Sequence, residues 1–382
     1  VLLCATVMLL GFWWLNQLDD PASNPLADLQ LPADELTTDQ IREPIDHLAT
    51  EHLQSGENVG LVIAILKSGR SEVFGYGSLT TGGPTPPDGD TLFEIASVGK
   101  TFTTAMLSLM SEQGEVGLQS PLDELLPEKV RVPQLGGRRI TLLDLATHTA
   151  GLQSLPDNFE PADELNPYRD YTVEQMYDYL ASCELSAAPG TRYEYSNLGF
   201  GLLGHGLAQK AGQDYETLVI ERLCTPLQME STRMTLSEEL RARLATPHDG
   251  GQAVPVWEDL TMPGAGSFLS TGNDLLKYLQ AHLTDSDTPL HRALRNSTKK
   301  RRPTDSPETA IGLGWHVTSE NALDIVWHNG GAGGSTSYAA LLPEHGVAVV
   351  VLANSSNSVD ELGRKVLYLV HRHWQVEEAE AK

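Results

Sequence analysis

Ser97 and Lys100 stand three residues apart at the opening of an apolar run (TFTTAMLSLM) that reads as a helix, so both lie on one face one turn apart. A serine hydroxyl is a poor nucleophile until a base takes its proton, and a desolvated lysine can help remove it. A helix start also offers free backbone N–H groups to an anion developing on an attacked carbonyl. Ser97 follows an apolar segment (Leu92, Phe93, Ile95, Ala96), which predicts partial burial. The same spacing recurs at Ser297-Thr298-Lys299-Lys300, but that copy is expected in an exposed basic loop, Lys299 to Arg302, with Pro303 and Pro307 nearby.

Two more clusters can serve such a serine. Tyr195-Ser196-Asn197 follows the turn-forming Pro189-Gly190 and precedes a glycine-rich apolar helix, placing a phenol and an amide two residues apart. A phenol near a lysine can pass a proton, and an asparagine amide can both donate to and accept from a peptide group. His328-Asn329-Gly330-Gly331 opens a run of glycines just before a strand pair, where backbone can approach a ligand closely. Gly99-Lys100-Thr101 is not a phosphate-binding loop, because position 94, where its first glycine belongs, is Glu94. Gly199 to Gly204 fits a dinucleotide fingerprint in letters only, since no strand precedes it.

These residues need a frame. Val59 to Leu66 is an apolar, β-branched run, and Ser68-Gly69 turns it toward Glu72 to Tyr76 as a hairpin partner. Tyr338 to Leu342 and Val347 to Leu352 form a second pair around Pro343-Glu344-His345-Gly346, followed by an amphipathic helix from about Val359 to Trp374. Strands at both ends predict one sheet built by the N- and C-terminal parts of the chain. Thr38 to Leu53 reads as a helix, and Thr101 to His282 is mostly helical, including Phe200 to Ala211 and Asp274 to Leu283. The expected fold class is therefore α/β (α+β), an antiparallel sheet flanked by helices with an inserted helical region.

With 382 residues, 40% of them hydrophobic, the chain can bury a substantial core. A formal net charge of -25 argues against nucleic acid or anionic lipid as partner, and an anionic substrate needs a locally positive pocket. Residues 1–15 are almost wholly apolar and read as an export signal or membrane tether, in a segment taken as 1–18, with a linker at 19–37 and the catalytic domain at 38–382. The chain is accordingly expected to work outside the cytoplasm, in the periplasm or another extracytoplasmic space. Cys183 and Cys224 could pair there, although nothing in the sequence fixes their distance. No C-x-x-C or H-E-x-x-H pattern is present, so neither a metal nor a cofactor is expected. The oligomeric state is not legible.

Taken in order, S-V-G-K at 97, Y-S-N at 195 and H-N-G at 328 resemble the serine β-lactamase and penicillin-binding protein superfamily, most of all its class C branch with the D-alanyl-D-alanine carboxypeptidases. Leu142 to Leu152 (LLDLATHTAGL), Gly264 to Leu275 and Gly312 to Trp315 extend the likeness to residues 40–374. The resemblance implies the β-lactamase/transpeptidase-like fold, with Ser97 as the acylated nucleophile and Lys100 and Tyr195 as the proton-transfer pair. Asn197, His328 and Gly330 are implied as substrate-binding, and the N–H groups of Ser97 and Gly331 as the oxyanion hole. Implied substrates are D-Ala-D-Ala-type peptides of peptidoglycan and β-lactams, with an ester hydrolase or a penicillin-binding sensor that acylates without turnover as alternatives. His328 stands where many members carry lysine, and an imidazole is only partly charged near neutrality. It is expected to serve as the positive charge for a substrate carboxylate.

Overall fold

The computed structural model describes residues 36–374 and Leu26, with 57 and 259–260 excepted. Helix α1 (Thr38–Gln54) opens with a capping box between Thr37 and Gln40. The apolar run and its partner then form β1 (Gly60–Lys67) and β2 (Arg70–Gly77), joined at Ser68-Gly69 with both residues at positive φ. A two-residue strand β3 (Phe93–Glu94) leads into a 3₁₀ turn at Ala96–Gly99 and helix α2 (Lys100–Glu112). Most of the chain up to residue 283 is helices and turns, including α3 (Asn197–Ala211), a short strand β4 (Leu269–Ser270) that pairs with β3, and α4 (Gly272–Leu283). After α5 (Pro289–Ser297) the chain returns to the sheet as β5 (Arg302–Pro303), β6 (Thr309–Ile311), β7 (His316–Glu320), β8 (Leu323–Gly331), β9 (Thr336–Leu342) and β10 (Val347–Ala353), and closes with α6 (Asp360–His373).

Eight of these ten strands, all but β3 and β4, form one antiparallel sheet in the order β2-β1-β10-β9-β8-β7-β6-β5, so the first hairpin docks against the last strand. In β1, Leu61, Ile63 and Ile65 belong to one core with α1 and α6, while Val62, Ala64 and Leu66 belong to the other, over which α2 and α4 lie. A strand buried on both faces reads as a continuous apolar run, which is why β1, β9 and β10 lack polar alternation. The predicted architecture of a sheet from both ends of the chain with a helical insertion is what forms.

His328-Asn329-Gly330-Gly331 lies ahead of the β9–β10 pair, as expected, and is itself the end of β8, paired with β9. One local expectation is corrected. Ser297 is not in an exposed loop: it ends α5, is fully buried, and donates to the Leu294 carbonyl. The basic stretch after it is only partly exposed, because Arg302 enters the sheet edge and pairs with the buried Asp144 at 2.8 Å. Cys183 and Cys224 are free thiols. Among the described residues no helix is long and apolar enough to cross a membrane. The apolar segment 1–15 lies outside the described residues, as does the segment 19–37 apart from Leu26, Leu36 and Thr37.

Candidate active site

Ser97 is half-buried in the 3₁₀ turn that feeds α2, among neighbours that are all buried. The residue before it, Ala96, has φ +42°, a left-handed conformation that a non-glycine residue adopts at a cost. Surrounding backbone holds the turn in place: Ile95 N–H donates to the Phe268 carbonyl at 3.1 Å, and the Ser337 hydroxyl donates to the Ile95 carbonyl at 2.7 Å. Gly330 lets β8 come this close, since a Cβ there would overlap the Ile95 oxygen and sit 2.9 Å from the Ser97 nitrogen.

Lys100 is fully buried one turn along. Its Nζ donates to Ser97 Oγ at 2.9 Å and to the Ala265 carbonyl at 2.6 Å, and it lies 5.0 Å from the centre of the Tyr195 ring. The Tyr195 hydroxyl is also hydrogen-bonded to Ser97; burial pushes this phenol well above its ordinary pKa, and the Ser97 bond partly offsets the rise. Lysine, serine and tyrosine thus meet at one oxygen. Asn197 begins α3, whose cap is Ser196, and its side chain enters the same cleft. Asn197 Nδ2 donates to the Tyr168 hydroxyl at 3.4 Å, while Oδ1 is buried with no partner, an acceptor left for a ligand N–H.

His148 was not singled out from the sequence, yet it clamps Tyr195. Its carbonyl accepts from Glu194 N–H at 2.7 Å, and its Nδ1 accepts from Ser196 N–H at 3.0 Å. Its ring stacks on the Tyr195 ring with centroids 4.3 Å apart. His148 does this from a left-handed backbone (φ +54°) and with a pKa far below the ordinary value, owing first to burial and then to Lys100. The only signal in the sequence is its place within LLDLATHTAGL.

His328 is brought to the site. It is fully buried, tilted against Tyr195 at 6.4 Å and against His316 at 5.3 Å, and its Nδ1 donates to the Asn329 carbonyl at 2.6 Å. Burial, His316 and Lys100 together lower its pKa, which favours the neutral imidazole, and its Nε2 is buried without a hydrogen-bond partner. Asn329 turns away to Asp360, and the residues of β8 that line the cleft reach it through Gly331, followed by Ala332. The Gly331 position is open, with no atom within 4 Å of a Cβ built there.

The glycines of the dinucleotide-like pattern have a packing role. They lie inside α3, where a Cβ on Gly204 would sit 2.8 Å from Gly264 Cα, so they let the helix approach the segment that carries Ala265. Among the described residues no group of His, Cys, Asp and Glu could hold a metal ion.

This geometry can be set beside known proteins. The Beta-lactamase family profile matches residues 45–371. The chain belongs to that family. It is 30% identical over 339 residues to the D-alanyl-D-alanine-carboxypeptidase/endopeptidase AmpH of Escherichia coli, covering 85% of this chain and 87% of that protein. A beta-lactamase of Pseudomonas fluorescens is 27% identical, with 83% and 94% covered. Among solved structures, a beta-lactamase/D-alanine carboxypeptidase from Yersinia pestis superposes with a TM-score of 0.77 at 25% identity, covering 87% of this chain and 97% of the other. The chain is accordingly a serine hydrolase of the β-lactamase/transpeptidase-like fold.

Proposed function

We propose that this β-lactamase-family enzyme hydrolyses D-Ala-D-Ala-type peptides through an acyl-enzyme on Ser97. The observation that carries the reading is the convergence of Lys100 Nζ, at 2.9 Å, and the Tyr195 hydroxyl on Ser97 Oγ. With the Lys100–Tyr195 pair one proton short, Ser97 Oγ attacks the scissile carbonyl, its proton fills that vacancy, and the pair then gives a proton to the leaving amine. The N–H groups of Ser97 and Gly331 hold the oxyanion, and Asn197 holds the substrate amide. Water then repeats the sequence on the ester and frees Ser97. Lys100 and Tyr195 share one proton path, so the base is treated as a property of the pair.

A second reading, ester hydrolysis, is favoured by the chemistry of the cleft. Burial lowers the pKa of His328, and Lys100 beside Ser97 is engaged with Ser97 Oγ and the Ala265 carbonyl, so the cleft offers a carboxylate next to the scissile bond little positive charge. β-Lactams, which carry one, are proposed as slower substrates than neutral acyl donors. Incubating the protein with a D-Ala-D-Ala tripeptide, its C-terminal amide and the matching ester, and following product release, tests both readings. Release from all three that stops in Ser97→Ala supports the mechanism; release from none contradicts it.

We further propose that residues 1–15 export or tether the protein and that 38–382 form the hydrolase domain, on the strength of the apolar run. A cytoplasmic pool with an intact N-terminus in fractionated native cells would contradict this.

A further inference from the structure

Glu94 is a carboxyl group on the wall of the catalytic cleft that neither the proton-transfer pair nor the oxyanion hole uses. It lies on β3, three residues before Ser97, and lines the cleft together with Ser97, Asn197, Tyr168 and Trp257. Trp257 N–H donates to Oε1 at 2.8 Å and the Ser335 hydroxyl donates to Oε2 at 3.0 Å. The residue is only 5% exposed, and among the described residues no cation pairs with it. Burial pushes its pKa up to about 7, with both hydrogen bonds working the other way.

A glutamine could make both of those bonds, accepting from Trp257 and donating to Ser335, without placing an ionisable group in a desolvated wall. The charge itself is therefore what the fold leaves unexplained. The aromatic residues Tyr168 and Trp257 stand beside it, centroids 5.5 Å apart, and aromatic faces attract cations. No other side chain lining this wall is ionisable to a full charge near neutral pH, and Lys100, behind Ser97, is engaged with Ser97 Oγ and the Ala265 carbonyl.

We propose that the Glu94 carboxylate accepts a positively charged group of the acyl donor, so that the cleft selects substrates bearing a primary ammonium, such as a peptide with a free side-chain amine next to D-alanine. This rests on the reading of Ser97 as the acylated residue. The groups facing Glu94 leave the position to a ligand. Beyond the Trp257 amide and the Ser335 hydroxyl, the Tyr168 phenol shares the cleft. His248 packs behind the 331–335 turn, holding Thr81 N–H and facing the Asn354 carbonyl. Arg233, bridged to β4, spends its guanidinium on the carbonyls of Met229 and Thr232, and Glu258 beside Trp257 is exposed.

The test uses the full chain and two thioesters with the same neutral leaving group, Nα-acetyl-lysyl-D-alanyl and its Nε-acetylated twin. The ratio of their kcat/KM cancels the titrations of Lys100 and Tyr195, and the lysyl amine, with a pKa of about 10.4, stays charged up to pH 9. The amine-bearing substrate is favoured about tenfold above pH 8, as one charge-assisted hydrogen bond gives. The preference falls toward unity below pH 6 as Glu94 takes up a proton, with a midpoint near 7. In Glu94→Gln the ratio stays near unity throughout. A wild-type ratio at or below unity, a ratio independent of pH, or one unchanged in Glu94→Gln overturns the proposal; if the variant does not fold, the wild-type pH profile decides alone. Turnover of both thioesters that survives Ser97→Ala, or no turnover of either, removes the acyl-enzyme reading instead.

Discussion

The imidazole of His148 lies stacked on the phenol ring of Tyr195, 4.3 Å between centroids, and holds the backbone on both sides of it. The ring fixes where the Tyr195 hydroxyl meets Ser97, and the Nδ1 acceptor fixes the peptide that carries it.

His148→Phe keeps a ring to stack but loses the acceptor, and His148→Ala loses both. We expect kcat to fall about tenfold in the first and about a hundredfold in the second, as misplaced catalytic groups do, with KM little changed. Steady-state kinetics with a neutral ester, alongside thermal unfolding, checks this. A loss confined to KM or to stability would mean that His148 does not position Tyr195.

Gly330 and Gly331 are adjacent and respond oppositely to a methyl group. Gly330→Ala drives a Cβ into the Ile95 carbonyl and the Ser97 nitrogen, whereas Gly331→Ala meets nothing within 4 Å. The first should abolish measurable acylation and lower stability by about 1–3 kcal/mol, the usual range for overpacking. The second should unfold within about 0.5 kcal/mol of wild type. Equal stability of the two variants would contradict the close approach of β8 to the nucleophile turn.

Acid should destabilise the fold. His148 and His328 have pKa values far below 6.5, and His282 and His316 are lowered to about 4, all first by burial. Unfolding lets them bind protons, so stability is lost as pH falls through 6.5 toward 4. Glu94, raised to about 7, and Asp360, raised to about 6, act in the opposite sense over much of that range, because the folded state holds their protons. The histidines outnumber them. The urea midpoint should therefore be lower at pH 5 than at pH 7, and His282→Gln, remote from the cleft, should lessen the difference. A midpoint that rises on acidification would contradict the neutral histidines.

Much of this was legible in the sequence where a single period or motif carried the signal. The continuous apolar runs of β1 and β10 and the amphipathic α6 announced the sheet and its cover, and Ser97, Lys100, Tyr195 and Asn197 were each marked by a local pattern. What was hidden depends on distant partners. The stretch around Arg302 read as exposed because Asp144, which takes its charge, lies 158 positions away. The full burial of His328 was not legible because it comes from β7 and β9, outside its own motif. His148 and Glu94 sit inside runs whose spacing suggests nothing, and only the folded chain brings them to Tyr195 and to the cleft.

If Lys100 and Tyr195 form one proton path, replacing both should cost little more than the worse single replacement. Acylation rates of Lys100→Ala, Tyr195→Phe and the double variant, measured with an activated ester, decide it. Losses that multiply would mean that the two residues act separately.

The most direct measurement of the central claim is intact mass after brief exposure to an acyl donor, taken for wild type, Ser97→Ala and Ser297→Ala. The wild type should gain one acyl mass and shed it with time, Ser97→Ala should gain none, and Ser297→Ala, altering a buried hydroxyl bonded to the Leu294 carbonyl, should be labelled like wild type. An adduct that persists in Ser97→Ala would show that the nucleophile lies elsewhere and that the convergence of Lys100 and Tyr195 on Ser97 is not the catalytic centre.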